Sequence, residues 1–250
     1  MKNVWISFRK DIFVRDLIQD FCESALYFDK IWKMHSKSAF IPFKILDAWV
    51  AGPLWNLKEQ SHRLFRSTHH KSSLYEHLFD WTMGSIFHEA MKVKENTYQV
   101  ESYKPLLEME VKNSENNPAL SNIINEYFSL IEKANIDLKQ ELERVHELLS
   151  KAVLHLREII IYYKDNILLI RFLIDNRTKV EKIFGKDSLA GLFEQMFPNG
   201  VHDAYLLAAE NCFTSGRFQE AERYLEKAAK HDKNNRKAQK LLTKLKNKKE

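Results

Sequence analysis

Two Glu-x-x-His pairs, Glu59/His62 and Glu143/His146, are the residues of this sequence best suited to hold a metal. Positions three apart share a helix face, so each pair presents a carboxylate beside an imidazole. Glu23 and Glu89 fall on other predicted helices, so the candidates in chain order are Glu23, Glu59/His62, Glu89 and Glu143/His146. The competing account is two solvent-facing pairs. The chain has 22 Glu and 10 His, enough for such spacings to arise by chance, and the flanks are polar, with Lys58 and Gln60 beside Glu59 and Glu141, Arg144 and Glu147 around Glu143.

The arrangement resembles that of ferritin-like di-iron carboxylate proteins, which would imply iron as cofactor. Other chemistry finds less support. His62, His69, His70, His77 and His88 cluster within 27 residues. His77 and His88 share a predicted helix face but lie about 16 Å apart along it, too far for one metal. Cys22 and Cys212 are isolated thiols without a C-x-x-C spacing, as in a reducing compartment. Glycine-rich phosphate loops, nucleophile elbows and zinc spacings are absent. No catalytic residues are assigned, and a non-enzymatic role is the expectation.

Residues 205–235 carry a different pattern. Tyr205, the pair Ala208 and Ala209, Gly216, Phe218, Ala221 and Ala228 recur at the intervals of a helix–turn–helix unit, closed by Asp232-Lys233-Asn234-Asn235. Antiparallel helices approach closely only where side chains are small, so Ala209, Ala221 and Ala228 mark the contact, with Tyr205, Phe218, Tyr224 and Leu225 around it. Gly216 suits the positive φ that ends the first helix. The stretch resembles one tetratricopeptide repeat, spanning residues 202–235. It departs from the family's pattern at Cys212, Leu225 and Lys233, where a tyrosine, an aromatic and a proline are usual. The resemblance implies protein–protein interaction through a concave face holding Asp203, Leu206, Glu210 and Phe213. A basic helix follows at residues 236–248, similar to the solvating end helix of that family. A lone repeat rarely buries enough to fold alone, so it should dock on upstream helices or on a partner.

The composition is globular: 44% hydrophobic, 29% charged, with 6 Gly and 5 Pro. The net charge of +5 is unevenly placed, because residues 230–250 hold nine Lys and Arg against Asp232 and Glu250. Such a run reads first as a solvated end helix, and alternatively as a patch for nucleic acid or an anionic membrane through residues 236–249. The N-terminus, charged at Lys2, Arg9, Lys10 and Asp11, has no signal-peptide core. No stretch reaches transmembrane length, so the cytoplasm is expected.

Helical periodicity runs through residues 10–34 (Leu17, Phe21, Phe28, Ile31). A break is expected at 36–38 and a second helix at 42–65, kinked by Gly52-Pro53. Residues 67–73 read as a loop. Ser73 and Glu76 form a capping box for a helix over 74–103 that Pro105 ends or bends. Its aromatics Phe79, Trp81, Phe87 and Tyr98 are expected in the core. Residues 113–118 read as a linker. A long helical region follows over 120–183, with a turn expected near Ser150 or near 164–166, and Gly185 as its stop. A short helix over 188–197 and the turn Pro198-Asn199-Gly200 lead into the repeat. The expected fold is all-α, with about seven to nine helices: an N-terminal helical segment (1–112), long helices completing a bundle (119–197), and the hairpin with its end helix (202–250). The leading functional expectation is a helical scaffold or adaptor that binds a protein or peptide, or assembles with itself.

Overall fold

A computed structural model describes residues 2–37, 41–67, 73–113, 118–184, 186–232 and 234–249. The fold is all-α, with no strand among these residues. The elements are α1 (Lys2–Lys37), α2 (Phe43–Trp49), a π-helical turn (Val50–Leu54), α3 (Trp55–Ser67), α4 (Leu74–Asn113), α5 (Pro118–Tyr162), α6 (Ile167–Asp175), α7 (Arg177–Phe184), α8 (Lys186–Met196), α9 (Val201–Thr214), α10 (Phe218–His231) and α11 (Arg236–Lys249). Eleven α-helices and one π turn among the described residues exceed the seven to nine helices expected, because the π turn interrupts the α-helical bonding of one expected helix and Asn176 separates α6 from α7. The linker residues 114–117, the His69-His70 pair, Gly185 and Lys233 lie outside the described residues.

Proline 53 lacks the N–H that an α-helical bond would use. The chain keeps its direction by widening to a π turn over Val50–Leu54, so the kink becomes a bulge rather than a break. Pro105, expected to end or bend α4, does not end it, since the helix continues to Asn113. It is solvent-exposed, where water can bond the carbonyl that a proline leaves free. The turn expected after the long apolar run falls at residues 163–165, and Asn166 restarts the helix by accepting from the Leu168 and Leu169 amides at 2.9 and 3.2 Å.

The chain divides into two compact units, residues 17–155 and residues 1–16 with 156–250. In the first, three helices each carry a seam of buried side chains that steps by three and four residues in turn. On α1 the seam is Leu17, Phe21, Ser24, Phe28 and Ile31, with Ile18 and Cys22 buried beside it. On α4 it is Glu76, Phe79, Met83, Ile86, Ala90, Val93 and Thr97. On α5 it is Leu138, Leu142, Val145, Leu149 and Ala152. A 3.5-residue repeat is the signature of knobs-into-holes packing along long seams. The register also explains the aromatics. Trp81 and Tyr98, expected in the core, are 76% and 58% exposed. Trp81 is two residues past Phe79 and so on the far side of the helix from the seam.

The layer formed by α2, the π turn and α3 runs antiparallel to α4. Phe43 meets Tyr98, Asp47 pairs with Lys94 at 2.6 Å, Trp55 meets Phe87, and Ser61 donates to Asp80 at 2.8 Å. The polar Ser24 in the α1 seam is matched by Trp49, whose indole Nε1–H lies 3.2 Å from the Ser24 carbonyl and 3.1 Å from its Oγ. Burial pushes the His35 imidazole below its ordinary value of 6.5, helped by Lys139 and opposed by Glu143, and burial does the same to His155. Imidazoles that fold neutral must charge as the solution acidifies. Their contribution is complete above 6.5 and is lost as pH falls through the lowered folded values. Thermal melts should show Tm falling between pH 7.5 and pH 5.5, and His35→Gln with His155→Gln should flatten that slope.

In the second unit, α9 and α10 form an antiparallel hairpin. The start of α9 meets the end of α10 through His202, whose Nδ1 lies 3.0 Å from the Ala228 carbonyl, and through Tyr205 stacked on His231. The end of α9 meets the start of α10 through Phe213 and Phe218. Ala208, Ala209, Ala221 and Ala228 are fully buried between them, and Gly216 turns the chain at φ 74°. The hairpin docks on α6. Tyr224 donates its hydroxyl to Asp175 at 2.6 Å, Arg223 pairs with Asp175 at 3.1 Å, and Arg171 pairs with Glu220.

Candidate partner-binding surfaces

The seam of the first unit continues past the point where it is covered. On α2, the Phe43 amide donates to Glu101 Oε1 at 2.7 Å, so this layer begins level with the Tyr98–Glu101 turn of α4. The end of α1 lies level with residues 139–146 of α5, where Trp32 stacks on His146. One step outward on α4 is Val100; on α5 the step after Leu138 is the polar Asn135, and Ile131, Phe128 and Ile124 follow it. Val100, Ile131, Phe128 and Ile124 keep the repeat but are not buried, and Phe128 is 61% exposed. Between the helices lies a groove of about 280 Å³. Val100, Tyr103, Tyr127, Ile131 and Ala134 form its apolar walls, Gln99 and Lys133 also line it, and Asn96 and Asp137 mark its inner end.

Electrostatics distinguish that inner end. Asn96 Nδ2 donates to both oxygens of Glu141 at 3.0 and 2.9 Å. Burial pushes the Glu141 carboxyl above its ordinary value of 4.5; the Asn96 hydrogen bond opposes this, while Asp137 and Glu89 add to it and Lys92 opposes it. Asp137 makes no ion pair among the described residues. A carboxyl whose folded value is raised costs stability once pH exceeds its ordinary value, and that cost grows until pH passes the folded value. Glu141→Gln keeps an acceptor for Asn96 and removes the charge. Its Tm at pH 7 should equal or exceed that of the parent, and the two should converge near pH 4.

The four residues expected on a binding face of the hairpin are placed differently from one another. Asp203 accepts from the Asn199 amide and side chain at 3.1–3.2 Å, holding the turn before α9. Leu206 is 6% exposed. Phe213 is half-buried with its ring 5.7 Å from Phe218, and Glu210 is exposed. Glu210 is exposed and Asp203 and Phe213 are half-buried, so these three are reachable from solvent, with Asp203 engaged by Asn199, while Leu206 belongs to the packing.

The six expected iron ligands are also placed. Glu23 accepts from Gln19, His62 lies 3.6 Å from Asp80, and Glu59 is half-buried. Glu89 pairs with Lys92 at 3.1 Å and lies 4.0 Å from Arg144. Glu143 lies 3.9 Å from Lys139, and the His146 ring stacks on Trp32. No group of three or more His, Cys, Asp or Glu that could hold a metal ion occurs among the described residues. Both cysteines are buried. Burial, above all, raises the Cys212 thiol above its ordinary value against the pull of Arg171 and Arg217, the reverse of what a nucleophile needs.

The groove was not anticipated from the sequence, although the repeat that builds it is written there. The signal is the 3–4 alternation carried by Val93, Thr97 and Val100 and by Ile124, Phe128 and Ile131. No described helix is long and apolar enough to cross a membrane. Comparison with protein-family models, with curated proteins and with solved structures finds no match to this chain.

Proposed function

We propose that this protein is a non-enzymatic helical scaffold that recruits a protein partner by receiving an amphipathic helix in the α4–α5 groove. The observation that carries the reading is the uncovered continuation of a core seam. Val100 and Ile131 are only half-buried and Phe128 is 61% exposed, although all three hold the register of the buried positions below them. A helix laid along the groove would extend the packing already made below it, with apolar anchors at three- and four-residue steps. A groove accepts a ridge, so the occupant is a convex helix rather than the same groove of a second copy. Asp137, which makes no ion pair among the described residues, and Glu141 behind Asn96 favour a Lys or Arg on that helix at the inner end, while Lys133 of the groove itself favours an acidic residue farther out.

The resemblance of residues 202–235 to a tetratricopeptide repeat supports the same class of function and offers a second surface, at Glu210 and Phe213. The departures at Cys212, Leu225 and Lys233, and the burial of Leu206, leave that surface smaller than the resemblance implies. Affinity capture with three full-length baits separates the two: the parent, Val100→Asp with Ile131→Asp, and Glu210→Lys with Phe213→Ala. The expected result is a partner held by the first and third baits and lost by the second. Loss only with the hairpin variant would move recognition to the repeat-like unit, and retention by all three would overturn the groove reading.

A further inference from the structure

We propose that the outward face of α11 is an electrostatic docking surface for the phosphate backbone of a nucleic-acid duplex. Helix α11 has no Asp or Glu between Arg236 and Lys249. Its apolar side is already used, since Ala238 and Leu245 are each 2% exposed. At 3.6 residues per turn, Arg236, Lys237, Lys240 and Lys244 fall within about 100° of the helix circumference, opposite Ala238 and Leu245, along about 12 Å. All four are exposed, and none makes an ion pair among the described residues. The spacings 236/240, 237/240 and 240/244 set like charges beside one another, which weakens a helix. Arg236 and Lys237 also sit in the first turn, where the helix dipole already favours negative charge. Asn235 nevertheless fixes that turn, accepting from the Lys237 and Ala238 amides at 3.0 and 3.2 Å. The fold therefore holds in place a line of positive charge that opposes its own stability, and a polyanion relieves each of these repulsions.

The shape of the patch selects the polyanion. A helix that enters an acidic membrane needs a wide free apolar face with aromatic anchors; α11 has no aromatic, has buried Ala238 and Leu245, and leaves only the half-buried Leu241 and Leu242 beside them. A narrow stripe matches a linear chain of phosphates better than a plane of headgroups. Three of the four cations are lysines, which act as point charges rather than bidentate base readers, so binding follows charge and not sequence.

The test is fluorescence anisotropy of the full chain with two labelled 20-bp DNA duplexes of unrelated sequence. Four neutralised phosphates give a log–log salt slope of about −3.6, a weakening of about 150-fold between 50 and 200 mM salt, equal for both duplexes. Lys237→Gln, Lys240→Gln and Lys244→Gln together should cut affinity at least tenfold at 50 mM salt and bring the slope to about −0.9. The corresponding three Lys→Arg changes, which keep the charge, should retain both. Equal affinity of the Gln variant and the parent, equal loss in the Gln and Arg variants, or binding to phosphatidylserine vesicles without binding to duplex would each overturn the proposal.

Discussion

Val100→Asp with Ile131→Asp abolishes partner binding while leaving the protein folded. Both residues line the groove and neither is buried in the described structure. Both are half-buried, so charging each costs about 0.5–3 kcal/mol of stability, the ordinary range for a point substitution. In a complex with a helix laid along the groove, the same carboxylates would be desolvated against apolar anchors. Residues at the centre of such an interface cost about 2 kcal/mol or more when lost. Two substitutions at one site therefore weaken binding by roughly a thousandfold if their effects add, with each 1.4 kcal/mol counting tenfold. Circular dichroism and Tm check the fold, and titration calorimetry with the partner's helix checks the affinity. A variant that binds as well as the parent would remove the groove from the account. One that no longer folds would show the two residues to be core.

Tyr224→Ala undocks the C-terminal hairpin. Tyr224 is fully buried in α10, and its hydroxyl reaches Asp175 at the end of α6. Its ring lies under Arg223 at 4.9 Å and Arg171 at 5.9 Å. Truncating a buried aromatic costs about 3–5 kcal/mol through lost transfer energy and the cavity left behind, and here it also strips Asp175 of its hydroxyl donor. Tyr224→Phe isolates the polar part. The ring remains, the hydroxyl goes, and the loss is about 1–3 kcal/mol for the partner left short of a donor. Chemical denaturation of the three proteins gives the ordering, parent above Phe above Ala. Asp175→Ala combined with Tyr224→Phe should cost less than the sum of the two single changes, because both remove the same bond. Full additivity would mean that the hydrogen bond contributes nothing to docking.

The long elements were legible from single residues and their spacing. Ser73 with Glu76 marked the start of α4, and the Glu76 amide does meet Ser73 Oγ at 3.4 Å. Gly216 marked the turn of the hairpin, and alanines marked its contact. Pro105 did not end its helix and two aromatics left the core for one reason, that a residue type was weighed without its side of the helix. Pro105 stops a helix only where its freed carbonyl cannot find another partner, and at an exposed position it can. Trp81 and Tyr98 look like core by composition, yet the seam register of Phe79, Met83, Ile86, Ala90, Val93 and Thr97 turns Trp81 away from it. The Glu-x-x-His pairs show the converse. Spacing put each carboxylate and imidazole on a common face, but whether faces of four helices converge is a tertiary fact. Here His146 turned to Trp32 and His62 to Asp80. The groove stayed hidden because it depends on where the covering layers stop, at Lys37 and at Phe43, relative to two helices that run on.

The most direct test of the groove is a photocrosslinking residue in place of Tyr103, on the groove wall, with Lys151 on the exposed side of α5 as control. The protein is expressed at native level in its own cells, and the crosslinked peptides are mapped by mass spectrometry. The scaffold account predicts crosslinks from position 103, absent from position 151 and abolished by Val100→Asp with Ile131→Asp. They should map to a segment of another protein whose apolar residues recur every three or four positions beside a Lys or Arg. Crosslinks only to a second copy of this chain, or none above the control, would contradict it.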